Sequence, residues 1–260
     1  MSWFYSAPLY VSLPIFLIGF VAGSLALVLA LRPWVRSVAT QPKEWDRVLG
    51  YSIGTFGVFF GIFLALVAVA AYQNYDAVHT DVLQESSALG AVYRDVSGFP
   101  ATDAVSLQEA LRAYTRAVIT EDWPLQHAGI APADSSVTLL NFQHMLLHYR
   151  PSAQTSGLYT ATVQQYNEFV TARRTRINVT SLGLPTLLWA LIWVGAAVNA
   201  VLLACVDVKS LRIHLVMAGM LAVFIGLVIF VTADMDHPYM GDISVGPDDF
   251  SRLLHQVMGS

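Results

Sequence analysis

Between Val48 and Tyr75 the chain carries no Asp, Glu, Lys or Arg. A helix needs roughly 20 apolar residues to cross a bilayer, so this run is long enough to span one. It has no terminator. The stretch GVFFGIFLALVAVAAYQNYD (57–76) passes from apolar residues straight into amides, Tyr75 and Asp76, with no Pro or helix-ending Gly at the expected membrane surface. A heptad pattern continues through the change. Gly54, Gly61, Ala68, Tyr75, Val82, Leu89 and Val96 are seven apart, and so are Gly50, Gly57, Leu64, Ala71, Val78, Glu85 and Val92. The two series form one a/d seam, small in the apolar half and larger beyond it. The pattern predicts a single helix of about 49 residues, ~70 Å long at 1.5 Å per residue. Small residues let helices approach closely in lipid, and large ones bury area where water returns. The glycines either pack the protomer's own bundle or face copies of the same helix around an axis, where they could also line a lumen.

Three more runs match the length of a span, near Tyr10–Leu31, Leu184–Val206 and Ile213–Ala233, and the second is taken as Leu49–Ala71. The chain of 260 residues is 55% hydrophobic and 12% charged, about half the charge of a soluble domain, which fits a multi-pass membrane protein. No Lys or Arg precedes Arg32, so the N-terminus lacks the charged start of a signal peptide and reads as a retained first span. A net charge of −4 offers nothing to a nucleic acid, and the single cysteine, Cys205, excludes an internal disulfide. The expected organisation is all-α. It places spans one and two in 1–71, a helical extramembrane domain in 72–182, spans three and four in 183–233, and a tail in 234–260 that packs on that domain. Basic residues in the loops Arg32–Val48 and Asp207–Arg212 favour a non-cytoplasmic middle block, with Arg173, Arg174 and Arg176 counting the other way.

Within the middle block, Ser106 to Glu109 reads as a capping box that opens a helix, and Trp123-Pro124 as its end. Asp134 reads as the N-cap of the next helix, which Pro151 closes, and a third helix leads into span three through Gly183 and Pro185.

The sequence has no Ser–His–Asp set, phosphate loop or redox motif, so an enzyme is not expected. Glu85 is the one charge on the seam. Either its copies form an acidic ring around an axis, which favours cations, or it makes a salt bridge to a neighbouring helix. His144 and His148 are four apart on one helix face, a workable spacing for metal ligands or for surface packing. Asp234, Asp236, Asp242, Asp248 and Asp249 are five acids in sixteen residues. Asp242, Asp248 and Asp249 suit a divalent cation such as calcium, although turns and solvation explain them as well. Asp234 and Asp236 close span four, where a carboxylate needs a partner, and Arg94 or the Arg173–Arg176 group is the expected one. Asn199 and His214 are expected to hydrogen-bond between helices.

The stretch AVAAYQNYDAVHTDVLQESSALGAVYRD resembles the exit of the second span in the bacterial bestrophin-like membrane proteins, carried here by Tyr72, Tyr75, Asp76, Glu85, Ala88, Leu89, Tyr93 and Arg94. RAYTRAVITEDWP, GLPTLLWALIWVGA and DMDHPYMGDISVGPDDF resemble three further blocks, the last with His237 and Tyr239 where Arg and Phe are more usual. The likeness to true bestrophins, pentameric anion channels often gated by calcium, is fainter. It implies a homo-oligomeric ion channel in the bacterial inner membrane, a pentamer, with the second span lining the pore. Gly61 and QNYD fit the bestrophin spacing, which implies neck positions at Val58 and Ile62, with Gly54 in place of a bulky residue. Ala70 stands where bestrophins carry an Arg, so anion selectivity does not follow. Bestrophin architecture would also place the middle block in the cytoplasm. The competing reading is a non-conducting membrane scaffold or partner-binding protein.

Overall fold

The structure is a computed structural model that describes residues 8–38, 42–132, 137–181, 183–206, 208 and 210–259. It is all-helical, with no strand among the described residues. In chain order the helices are α1 (Leu9–Val38), α2 (Pro42–Val96), α3 (Ala101–Ala117), α4 (Trp123–His127), α5 (Val137–His148), α6 (Ser156–Asn178), α7 (Thr186–Ala204), α8 (Leu211–Met235) and α9 (Asp248–Arg252). Four of them, α1, α2, α7 and α8, are long and apolar enough to cross a membrane. The chain forms two compact units, residues 8–73 with 183–236 and residues 74–182 with 237–259.

The 55 residues of α2 make it one uninterrupted helix, about 80 Å long. It lies between two prolines, Pro42 at its first position and Pro100 beyond its end, where a missing N–H costs no internal hydrogen bond. The loop expected at Arg32–Val48 is therefore mostly helical: α1 runs on to Val38, with Pro33 inside it, and α2 starts at Pro42.

Large apolar side chains with a few small ones between them build the first unit. Phe60, Leu64, Val67, Ile192, Ala196, Ile225 and Ile229 form one cluster, and Val28, Ala204 and Ala218 a second. Two glycines make this packing possible. A Cβ on Gly195 would lie 2.2 Å from the Phe60 ring, and one on Gly226 3.1 Å from Leu17 and Phe20. The Ser210 hydroxyl caps α8 by accepting from the Ile213 N–H. Nε2 of His214 meets the Leu203 carbonyl at 3.0 Å, satisfying one of the groups that a helix C-terminus leaves open.

The second unit has a large aromatic and aliphatic core. Val82, Leu89, Val92 and Val96 of α2 share it with Leu111, Tyr114, Phe142, Leu146 and Phe169, and with Phe250, Leu253 and Met258 from the closing segment. Two local expectations differ here. Pro100 already opens α3, so Ser106 lies mid-helix and bonds the Thr102 carbonyl instead of capping. Trp123-Pro124 does not end the helix either. A π-turn over Val118–Asp122 widens the backbone just ahead of Pro124, and α4 carries on to His127. The wider turn absorbs the ring and the missing N–H that would break an ordinary helix. Asp134, the expected N-cap of α5, lies outside the described residues.

Candidate functional site

The residues of α2 sort by angle. On one side of its first half Phe60, Leu64, Val67 and Ala71 are buried, spaced four, three and four apart, as a helix with one packed face requires. The other side is open. Val58 is 61% exposed and Ile62 56%, and Gly54 and Gly61 flank them. A Cβ added to Gly50, Gly54, Gly57 or Gly61 would meet nothing within 4 Å, so these glycines do not pack the protomer's own bundle. Drift along the heptad seam accounts for the outward turn of Gly54. An α-helix drifts about 20° per heptad against a 3.5-residue repeat. Gly54 lies four heptads from the fully buried Val82, so it has turned away by about 80°. The seam faces inward from Leu64 onward and outward at its glycine end.

Glu85 is 0% exposed, so it forms no outward-facing ring: its carboxylate is held inside the second unit. The Arg176 Nε–H donates to it at 2.6 Å and the Tyr114 hydroxyl at 2.8 Å. The Arg176 guanidinium also donates to Asp122 at 3.0 Å and to the Gln126 side-chain carbonyl, and the Gln126 amide donates to Thr180 at 2.8 Å. Its guanidinium carbon lies 5.3 Å from the Trp123 ring and 5.7 Å from that of Phe250, both cation–π distances. The closing segment is tied to the same place, because the Tyr239 hydroxyl donates to the Arg176 carbonyl and the Trp123 indole to the Val245 carbonyl.

Burial alone would lower the Arg176 pKa, but the adjacent Glu85, Tyr114 and Asp122 oxygens outweigh it and hold the group charged. Burial first, then the Glu85 charge, pushes the Tyr114 hydroxyl well above its ordinary value and keeps it a donor. Burial raises Tyr239 in the same direction. Glu85 was the visible signal, a single charge on an apolar seam. Its partners were not legible in sequence, because Asp122 and Gln126 are presented from either side of the unforeseen end of the π-turn. Arg173 and Arg176 are both buried, and only Arg174 of that group is exposed, so two of the three charges set against the loop count are core residues.

The other predicted positions are dispersed. Asp242 and Asp248 are exposed, and Asp249 pairs with Arg252 one turn along α9. No group of three or more His, Cys, Asp or Glu side chains suited to a metal exists among the described residues, so Asp242, Asp248 and Asp249 are not gathered into one carboxylate cluster. They serve a turn and the first turn of a short helix, where negative charge suits the backbone dipole. His144 and His148 stack with ring centroids 4.0 Å apart on an exposed face, with no third ligand in that grouping. Asp234 is buried near the end of α8. The carboxylate of Asp236, beyond that end, accepts the Leu184 N–H at 2.5 Å and the Trp189 indole N–H at 2.9 Å. Arg94 is exposed and lines a shallow pocket of about 340 Å³ with Gly90, Asp249 and Arg252.

A family model described as the Bestrophin-like domain matches residues 18–250. Crystal structures of a bacterial bestrophin homolog from Klebsiella pneumoniae share the fold. One point variant is 15% identical, with 94% of this chain and 99% of that one covered and a TM-score of 0.64. Another is 15% identical, with 95% and 98% covered and a TM-score of 0.57. A crystal structure of a membrane protein variant is 15% identical over 94% of this chain and 99% of that one, with a TM-score of 0.58. No curated protein matches the chain.

Proposed function

Because the chain belongs to the bestrophin-like family of multi-pass membrane proteins, we propose that it assembles as a homo-oligomer, a pentamer, and conducts ions through a pore lined by α2. The open face of that helix carries the reading. A lipid-facing surface is normally filled with large side chains, as at Leu187, Leu191, Val194, Met217, Met220 and Phe224 of α7 and α8. The first half of α2 also exposes large side chains, at Tyr51, Val58, Phe59, Ile62 and Leu66, but beside them it places four glycines in twelve residues, at none of which an added Cβ would meet another group within 4 Å. Each glycine lowers helix stability by roughly 1 kcal/mol relative to Ala. That loss is offset where backbones must crowd around an axis or leave room for a lumen. In this arrangement Val58 and Ile62 are the side chains that narrow the path, a hydrophobic constriction that closes by shedding water.

The test is a subunit count in mild detergent followed by ion flux in liposomes. A ring of subunits with α2 innermost supports the reading, and a monomer or dimer refutes it. Replacing Ile62 with Ala widens the constriction and is expected to raise flux, whereas unchanged flux in a conducting protein removes Ile62 from the gate.

One observation favours the competing scaffold. Val137, Leu140 and Leu147 form an exposed apolar stripe on α5, at 71%, 50% and 59% exposure, of the kind that marks a protein contact. An oligomer that carries no ions would move the balance to that reading.

A further inference from the structure

We infer that Asp76 sets the sign of the permeating ion: its copies form a carboxylate ring at the mouth of the pathway and select small inorganic cations over anions. The inference rests on α2 being the pore helix. Asp76 follows Val58 by eighteen residues, which is five turns at 3.6 residues per turn, so the two side chains leave α2 along one line. Ala65, Val69 and Tyr72 lie within about 40° of that line, and all of them are exposed. The opposite line checks the assignment. Glu85 is twenty-seven residues from Val58, about 180° around, and it is fully buried. Asp81, about 140° around, is half-buried and turned away from the same face.

Asp76 is unopposed. Between Arg47 and Arg94 α2 carries no Lys or Arg. Arg47 stands near the far end with the exposed acids Glu44 and Asp46 beside it. Arg94 shares the Asp76 line but lies about 27 Å further along, some three screening lengths at physiological salt. His79, one turn on and about 60° aside, and the hydroxyls of Tyr72 and Tyr75 are the other titratable groups of α2 near the ring. The face offers an anion little in return, since the Thr80 hydroxyl already donates to the Asp76 backbone carbonyl at 3.0 Å. An acidic ring without opposing donors favours cations.

The full chain is reconstituted in planar bilayers under a KCl gradient and its reversal potential is read. The unmodified protein is expected to reverse towards the potassium potential. Asp76→Asn is expected to lower the cation-to-anion permeability ratio by about threefold or more, Asp76→Glu to preserve it, and Asp81→Asn to leave it unchanged. Asp76→Ser, read in the same way, serves if the Asn variant fails to assemble. A conducting protein that prefers anions, or whose reversal potential ignores Asp76→Asn, overturns the inference and leaves the channel reading standing. An assembled oligomer without any current overturns both.

Discussion

Replacing Arg176 with Met leaves two carboxylates without their cation. The Glu85–Arg176 pair is 0% exposed on both sides, at 2.6 Å, and Asp122 adds a second contact at 3.0 Å. Removing one partner of a buried pair costs about 3–5 kcal/mol, because the remaining charge stays desolvated without compensation. Met retains much of the Arg stem between Trp123 and Phe250, so the loss reports charge more than volume. For a chain of this size each kcal/mol moves the melting temperature by about 2–4 °C, which predicts a fall of roughly 6–20 °C. Tryptophan fluorescence during a thermal ramp in mild detergent reads it, since the Trp123 ring lies 5.3 Å from the group removed. Adding Glu85→Gln to the Arg176→Met protein is expected to restore about 2 kcal/mol of that loss, because it removes the stranded charge. The reasoning fails if Arg176→Met melts within about 2 °C of the parent, under 1 kcal/mol by the same conversion. It also fails if Glu85→Gln is as costly in the Arg176→Met background as alone.

Two glycine substitutions should behave oppositely. Gly195→Ala places a methyl 2.2 Å from the Phe60 ring and should lower the melting temperature, while Gly54→Ala meets nothing in the protomer and should instead alter subunit count or flux. Tyr114→Phe removes the donor 2.8 Å from Glu85 and should cost about 1–3 kcal/mol at neutral pH. The Tyr114 pKa is raised in the folded state, so its contribution is fully present below the unfolded value near 10 and is lost as pH rises beyond it. The parent should therefore lose stability above about pH 10, and Tyr114→Phe should show a shallower loss in the same alkaline melts.

Much of the architecture was legible because it is local. Charge-free runs of span length can only be helices in lipid, and a heptad pattern that runs on past Tyr75, with no Pro before Pro100, was enough to extend the second span far past the membrane. The end of α3 was misread for an equally local reason. Pro124 is a valid stop signal by propensity, and only the packing around Asp122, Trp123 and Gln126 makes a π-turn the better solution.

The sequence by itself determined the class of the molecule, the number of helices fit to span a membrane and the continuation of α2 past the end of its apolar run. Those follow from composition and from which backbone groups lipid leaves unsatisfied. Only the tertiary structure decided which way each side chain of that helix faces. A 3.5-residue repeat and a 3.6-residue helix part company over four heptads, enough to turn Gly54 outward while Val82 stays buried. It also decided that Glu85 faces a core arginine. That partner is ninety-one residues away in the chain, and no periodicity along one helix carries the identity of what packs against it.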